Sequence, residues 1–402
     1  MDKLVNDYFG ITREEKILQS GVRDVFTPNT PIDNIRFFCG RNTEVQRIIE
    51  CLNSRGQHIL LFGDRGVGKT SLAITSCHLF QSETKSEGEL IIKRCSSDDT
   101  FQSIVEAIFT KYEIEYKTVV EKTGFWASIK TLFGGSRETT VTITPNINSP
   151  SWVASKIQDK SGIIIIDEFD VVHKPEDKNK IAELMKQLSD AGSYLTIFAV
   201  GIADSSKSLI GSHPSLQRCL KEIGLGRMSK EELKGIIDVG QDRLGISFSN
   251  EVSKIIVNIS SGFPHYTQLL ALKSAEESIA NDLSTVTRVE LDNALLKASN
   301  DIEGTLKNTY DEAIRSQTRQ KQQVNVNILL AASICEGEEF TTQDLRDKYR
   351  EITGVDIQLN PYLKSIVSDT AFTVLRRLAT GIYKFNDPRM PSYIKLRNKY
   401  VK

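Results

Sequence analysis

Eight consecutive residues of this sequence have the types and the spacing that binding a chain of phosphates requires. They fit the pattern G-x-x-x-x-G-K-[ST], and they are Gly63, Asp64, Arg65, Gly66, Val67, Gly68, Lys69 and Thr70. Glycine lets the backbone turn so that its N–H groups point at phosphate oxygens. We therefore expect this segment, called the phosphate loop below, to bind ATP. Lys69 would neutralise the β- and γ-phosphates, and the hydroxyl of Thr70 would ligate Mg²⁺.

The elements on either side of the phosphate loop have the order that such a site needs. The apolar run at residues 58–62 predicts a buried strand, and residues 71–80, beginning with Ser71, show the spacing of a helix. The first N–H groups of a helix carry a partial positive charge that favours phosphate. The strand–loop–helix context therefore supports nucleotide binding.

A second candidate site follows a run of four isoleucines at residues 163–166. This run predicts a strand that is covered on both faces. Asp167 and Glu168 come directly after it, and two carboxylates there are costly unless a metal ion or a bound water uses them. We expect Asp167 to hold Mg²⁺ and Glu168 to orient the attacking water. The alternative is a helix cap or a turn.

Composition limits the class of protein. A chain of 402 residues with 39% apolar and 26% charged residues is expected to form several globular domains. No stretch approaches the roughly 20 apolar residues of a membrane helix, and no secretory signal is visible, so we expect a cytoplasmic protein without membrane contact. The six cysteines are scattered without metal-ligand spacing, which predicts reduced structural thiols.

Strand-like and helix-like segments alternate through the first half of the sequence. This alternation predicts an α/β domain with a parallel sheet, whereas residues 229–299 are helical nearly throughout. The expected organisation has five parts: an N-terminal arm (1–34), an α/β nucleotide-binding core (35–226) with an insertion at about 117–161, an all-α lid (227–300), a connector (301–323) and a winged-helix domain (324–402). The insertion contains a predicted β-ribbon at residues 139–144.

The winged helix is predicted from three helical segments and two strands in the tail. The helices are expected at 325–335, 342–350 and 363–378, and the strands at 381–385 and 393–396. Between residues 376 and 402 the sequence has one acidic residue, Asp387, and eight basic residues. The basic residues are Arg376, Arg377, Lys384, Arg389, Lys395, Arg397, Lys399 and Lys402. This excess of positive charge favours binding of duplex DNA. A protein-docking surface or a solvated charged face are the alternatives.

Several motifs in this order resemble the AAA+ ATPases of the origin-recognition and initiator-like branch, and the STAND signalling ATPases nearly as well. They are the segment 39–44 (Cys-Gly-Arg-Asn-Thr-Glu), the phosphate loop as Walker A, the Asp-Glu strand as Walker B, and the helical lid. The resemblance covers about residues 35–300. It implies ATP hydrolysis, which would be slow until an oligomer or a partner stimulates it. It also implies nucleotide contacts for Arg41 and Ser71, and for Pro264 and His265 of the lid.

The resemblance implies two further roles. Asp204 follows a predicted strand where these ATPases keep a polar sensor of the γ-phosphate, usually Asn, so Asp204 either serves as that sensor or caps a helix. Arg218 lies where an arginine finger would reach the ATP of a neighbouring subunit, which implies a homo-oligomer; a surface ion pair is the alternative. The arginine of the second sensor is absent, and His265 would replace it in part or serve in packing.

Two hypotheses for function follow. In the first, the nucleotide fixes the angle between core and lid, and this angle presents or hides a winged helix that binds duplex DNA. In the second, the chain is a STAND-type signalling or defence regulator whose winged helix docks a protein. A small-molecule kinase fits poorly, because it needs neither a helical lid domain nor a winged helix.

Overall fold

The computed structural model describes residues 11–32, 34–84, 88–115, 146–203, 216–301, 304–316, 318–367 and 373–398. The helices there are α1 (Ile11–Gln19), α2 (Val22–Val25), α3 (Asn42–Leu52), α4 (Lys69–Thr84), α5 (Phe101–Lys111), α6 (Pro150–Ile157), α7 (Pro175–Asp190), α8 (Lys230–Leu244), α9 (Asn250–Ser260), α10 (Pro264–Ala280), α11 (Arg288–Asp301), α12 (Gly304–Ile314), α13 (Arg319–Ser333), α14 (Thr342–Thr353), α15 (Asn360–Ile366) and α16 (Met390–Arg397). The strands are β1 (His58–Gly63), β2 (Glu89–Arg94), β3 (Ser161–Asp167), β4 (Tyr194–Ile202), β5 (Leu220–Gly224), β6 (Ser247–Phe248), β7 (Thr285–Val286), β8 (Glu339–Thr341), β9 (Leu375–Ala379) and β10 (Ile382–Phe385). Short 3₁₀ helices cover Ile35–Phe37 and Phe169–Val171.

The chain divides into two compact units, and neither is continuous in sequence. The first unit consists of Met1–Gln46, Gly63–Leu79 and Gly224–Lys402, and the second of Arg47–Phe62 and Phe80–Ile223. The phosphate loop therefore belongs to the first unit, together with the lid and the C-terminal region. Asp167, Glu168 and Arg218 belong to the second unit.

The second unit is built on a five-stranded sheet with the strand order β2-β3-β4-β1-β5. Strands β2, β3 and β4 are parallel neighbours, with Ile164 opposite both Ile91 and Ile197. The isoleucines of β3 are buried, and Ile164 and Ile166 share a hydrophobic core with side chains of α5, α6 and α7. The prediction of a parallel sheet with a buried central strand is confirmed.

The lid in the first unit is helical, as predicted, with one small addition. Helices α8 to α11 form a common core, and the two-residue strands β6 and β7 pair in parallel beside it. The N-terminal segment differs from the expected extension, because its described part forms α1 and α2. Ile17, Val22 and Phe26 of this segment are buried in the core of the lid. Apolar residues at helical spacing explain why the segment folds here.

The C-terminal region differs from the prediction at two places. Its sheet is antiparallel, with the order β8-β10-β9, so the predicted strand at 381–385 is confirmed but its hairpin partner is β9. The helix predicted over 363–378 is wrong in its last part, because α15 ends at Ile366 and β9 begins at Leu375. The strand predicted at 393–396 is also wrong. These residues lie in α16, where Pro391 occupies the first turn and favours a helix start.

Two expectations from composition can be compared with the structure. All six cysteines are free and at least partly buried, and burial raises the pKa of Cys51, Cys95 and Cys335 to about 12. Thiols with such pKa values are unreactive near pH 7. Among the described helices, none has both the length and the apolar character that crossing a membrane requires.

His58, the first residue of β1, is a fully buried histidine in the sheet. Its Nε2–H donates to the carbonyl of Met185 at 2.8 Å, and its Nδ1 accepts the N–H of Ile197 at 3.0 Å. Both ring nitrogens are therefore used by the neutral imidazole. Burial lowers the pKa of His58 to about 4.

We expect His58 to make the free energy of unfolding depend on pH. The unfolded histidine binds a proton below about pH 6.5, but the folded one does so only near pH 4. Its contribution is complete above pH 6.5 and is lost as the pH falls towards 4, by at most about 1.4 kcal/mol per pH unit. Urea titrations between pH 4.5 and 7.5 should show a shallower slope for His58→Gln. An unchanged slope in His58→Gln would contradict the account.

Candidate functional site

The phosphate loop has a backbone that depends on its glycines. Gly63, Gly66 and Gly68 have φ angles of 151°, 86° and 94°, values that residues with a Cβ rarely adopt. A Cβ on Gly63 would lie 2.2 Å from the carbonyl oxygen of Leu225, and that backbone atom has no rotamer through which to move away. Position 63 therefore requires glycine for space as well as for conformation.

Lys69 folds back over the phosphate loop. It is the first residue of α4, and its Nζ donates to the carbonyls of Gly63 at 2.9 Å and Asp64 at 2.7 Å. The side chain is buried, with 8% exposure. Its ammonium therefore lies against the turn of the loop, beside the positive end of α4. This geometry fits the predicted role of Lys69 in binding phosphate.

Two of the predicted nucleotide-binding residues hold the segment that precedes α3. Ser71 Oγ accepts the N–H of Ile32 at 3.1 Å, and the carbonyl of Ile32 accepts from Thr75 Oγ1 at 2.9 Å. His265 Nδ1 donates to the carbonyl of Pro28 at 2.8 Å. Residues 28–32 are thus fixed by helix α4 on one side and by the start of α10 on the other.

Arg41 joins three parts of the first unit. Its Nη2 donates to the carbonyls of Val67 at 3.2 Å and of Gly226 at 2.6 Å, and its backbone N–H donates to Glu232 Oε1 at 2.8 Å. The side chain is 6% exposed, and burial lowers its pKa. Since an arginine stays protonated, a buried positive charge lies next to the phosphate loop. A nucleotide contact of Arg41 stays a prediction.

Arg389 also lies at the phosphate loop, and its role was missed in the sequence analysis, which counted it among the bases of the DNA surface. Its Cδ and Cγ lie 3.4 Å and 3.6 Å from the position that a Cβ on Gly66 would take. Asp387 holds the guanidinium with two parallel bonds, Nε to Oδ1 at 3.0 Å and Nη2 to Oδ2 at 2.7 Å. The acid two residues before the arginine signalled that its guanidinium would be paired, but not that its side chain lies against Gly66. Pro264 lies near Gly68 in the same way, at 3.6 Å.

Asp167 and Glu168 end β3 in the second unit. The carboxylate of Asp167 is buried, with 3% exposure of the residue, and its Oδ1 accepts the N–H of Glu168 at 3.0 Å. Glu168 is exposed and has a left-handed backbone, with φ of 56° and ψ of 37°. One carboxylate is therefore fixed and one is presented to solvent. Their cooperation with the phosphate loop is a prediction from the order of the motifs.

Two predicted residues relate to hydrolysis less directly. Arg218 is 65% exposed and forms an ion pair with Asp190, and Gln57 Nε2 donates to its carbonyl at 2.9 Å. It thus lies beside the amino end of β1, whereas the phosphate loop follows the carboxyl end of that strand. A role of Arg218 in a neighbouring subunit stays a prediction. Asp204, the predicted sensor, lies outside the described residues.

Comparisons with known proteins give a family and a fold. The profile of the family described as Novel STAND NTPase 1 matches residues 31–368. The Walker-type ATPase PABY2304 of Pyrococcus abyssi has a similar structure, with a TM-score of 0.52, 17% sequence identity, and coverage of 92% of this chain and 99% of that one. The ORC2 protein of Aeropyrum pernix, in ADPNP–ADP complexes, is similar with a TM-score of 0.51 and 15% sequence identity. The match covers 94% of this chain and 97% of that one. Among curated proteins, none matches the sequence.

We expect Lys69→Ala to weaken ATP binding about 10- to 100-fold, because a charged hydrogen-bond donor to phosphate is lost. Titration with a fluorescent ATP analogue in the presence of Mg²⁺ would measure the dissociation constant. Lys254→Ala, on the exposed face of α9, removes a lysine from the same unit and should leave this constant unchanged. Wild-type affinity in Lys69→Ala would rule out the phosphate loop as the nucleotide site.

Proposed function

Because this chain belongs to the Novel STAND NTPase 1 family, we propose that it is an ATP-driven switch that controls its own C-terminal domain. In this proposal the nucleotide binds at residues 63–70. The domain at residues 324–402 is docked or released according to which nucleotide is bound. The contact between Arg389 and the phosphate loop carries the proposal.

Arg389 supports the switch because its positive charge is held beside the phosphate loop, where binding of a nucleotide would add negative charge. Its methylene groups lie against Gly66, and its guanidinium is fixed by Asp387 and is only partly exposed. A nucleotide adds negative charge to the phosphate loop, so the energy of docking depends on the nucleotide. A ligand shifts such an equilibrium by the difference of its affinities for the two states. We propose that the docked and released states differ in their affinity for ADP and ATP, so that exchange of the nucleotide shifts the balance between them.

The residues present fit a nucleotide with magnesium. The phosphate loop supplies a turn of three glycines and the ammonium of Lys69. The order of the motifs in the sequence supports Thr70 and Asp167 as the residues that would hold Mg²⁺, which supplies charge neutralisation of the phosphates during hydrolysis. Glu168 would accept a proton from the attacking water or orient it. The family has NTPases as members, and the proposed substrate is ATP.

The order of α13, β8, α14, α15 and the hairpin β9–β10 supports the proposal that the C-terminal region is a winged helix. We propose that this domain docks a protein rather than duplex DNA. Of the six described bases from Arg376 onwards, three have partners within the fold: Lys384 binds Glu338, Arg389 binds Asp387, and Lys395 binds Asn258 and Ser261 of the lid.

The remaining positive charge in the described part of this tail is small. Arg377 and Arg397 are exposed, and Arg376 is partly exposed. Lys364 on α15 adds an exposed charge beside Arg377, in a cavity between α15 and the β9–β10 turn. This pair is the observation that favours DNA as the second candidate partner.

Assembly of ATP-bound copies through Arg218 is also part of the proposal, since its exposed side chain is accessible to a second subunit.

We expect Arg389→Ala to speed the release of ADP about tenfold, because the docked C-terminal domain loses its fixed charge beside the phosphate loop. Stopped-flow displacement of a fluorescent ADP analogue would measure this rate. Asp387→Asn should act in the same direction, since it frees the guanidinium.

Arg397→Ala is the matched control for Arg389→Ala. It removes an exposed arginine from the end of the following helix, α16, and should leave the rate of ADP release unchanged. Equal rates in wild type and Arg389→Ala would overturn the proposed coupling. A faster rate in Arg397→Ala as well would show that any lost charge in this region has the same effect.

We expect binding to duplex DNA to be weak and to depend little on salt. Raising the salt from 50 to 200 mM reduces the affinity only about 12-fold for a protein that makes two phosphate contacts. The same change reduces the affinity more than about 10,000-fold for a protein that makes eight. Fluorescence anisotropy with a labelled duplex, at four salt concentrations and with either ADP or an ATP analogue, would measure the slope. A steep slope that disappears in the double variant Lys364→Ala/Arg377→Ala would show that DNA is the partner.

A further inference from the structure

Glu168 has a backbone conformation that its surroundings must maintain. Its φ of 56° and ψ of 37° lie in the left-handed region, which is unfavourable for a residue with a Cβ. Such residues persist where the neighbouring structure fixes them, and they are frequent at functional sites. The carboxylate of Glu168 is aimed by this turn, so the contacts that hold the turn decide where the carboxylate points.

The turn is anchored on one side by burial of Phe169. This side chain is fully buried in the core of the second unit, with the ammonium of Lys178 lying 5.8 Å from the centre of its ring. The N–H of Val171 donates to the carbonyl of Glu168 at 3.1 Å. These contacts fix the residues after Glu168 by packing, and one side chain of the turn adds a hydrogen-bonded connection to the neighbouring strand.

Asp170 makes that connection. Its Oδ1 accepts the N–H of Ile202, the last residue of β4, at 2.7 Å. Its backbone carbonyl accepts from Lys178 Nζ at 3.0 Å. Hydrogen bonds to an ionised carboxylate are about twice as strong as those between neutral groups. The turn that carries Glu168 is therefore tied to the carboxyl end of the adjacent parallel strand.

We propose that Asp170 is a positioning residue for hydrolysis, acting through Glu168. This inference rests on the proposed function, because it assumes that Glu168 orients the attacking water. Asp170 ties the turn, which begins after Asp167 at the end of β3, to Ile202 at the end of β4. It does not need to contact the nucleotide. The bond to Ile202 also restrains the chain two residues before Asp204, the predicted sensor.

A purely structural role for Asp170 gives a different expectation. If the bond to Ile202 only stabilised the fold, its loss would lower the free energy of unfolding and leave kcat of the folded protein unchanged. If it positions Glu168, its loss lowers kcat and leaves nucleotide affinity unchanged, since the phosphate loop is not altered. Measuring the change in kcat and the change in nucleotide affinity side by side therefore separates the two roles.

The test compares Asp170→Ala, Asp170→Ser and Asp170→Asn in the full chain. We expect kcat for ATP to fall about 10- to 100-fold in the Ala and Ser variants, with the dissociation constant for ATP within twofold of wild type. Asp170→Asn should retain kcat within about threefold, because its amide oxygen still accepts from Ile202. Asp159→Ala, which removes an exposed acid from the same unit, is the control and should behave as wild type.

A double-variant cycle with Glu168→Gln then tests whether Asp170 acts through Glu168. Adding Asp170→Ala to Glu168→Gln should reduce kcat less than twofold further, because residues that act as a unit are not additive. A wild-type kcat in Asp170→Ala or Asp170→Ser, or full additivity in the cycle, would overturn the inference. ATP binding without measurable hydrolysis in the wild type would instead overturn the proposed ATPase activity. The two failures are therefore distinguishable.

Discussion

The first unit depends on one buried positive charge, the guanidinium of Arg41. It binds the carbonyl of Val67 in the phosphate loop and that of Gly226 before the lid, while its own N–H is held by Glu232. A buried cation is costly unless hydrogen bonds satisfy it, and removing one partner leaves the rest unpaired. This constraint makes the loop, the entrance to α3 and the start of the lid one structure. Arg41 itself has a positive φ of 61°, which the same bonds maintain.

Three of the six described basic residues in the C-terminal tail have hydrogen-bond or ion-pair partners inside the fold, which a count of charges along the sequence does not reveal. Lys395 is the clearest example. It donates to the carbonyl of Asn258 and to Ser261 at the end of α9, and burial lowers its pKa to about 8. The C-terminal helix is thereby held on the lid, and Leu396 completes the attachment within the hydrophobic core of the lid.

The sequence predicted elements well where the pattern was local. The phosphate loop and the isoleucine strand were found because their spacing is fixed by the chemistry they perform and by burial on both faces. The C-terminal strands were placed less well, since residues 393–396 fit a strand or a helix by apolar content, and packing between two cores decided for the helix. Arg389 could not be assigned, because its contact with Gly66 joins residues that are more than 300 positions apart in sequence. The bond between Asp170 and Ile202 is also a tertiary contact, visible only once β3 and β4 are neighbours.

Helix α10 runs from the phosphate loop to the N-terminal helices α1 and α2. It begins at Pro264, next to Gly68, and its 17 residues span about 25 Å. Near its other end, Glu276 and Glu277 bind Arg23 and Arg13 of the N-terminal helices. A rotation of roughly 10° at Pro264 would displace that end by about 4 Å, enough to break such ion pairs. The helix thus connects the surroundings of the phosphate loop with α1 and α2 through one continuous backbone.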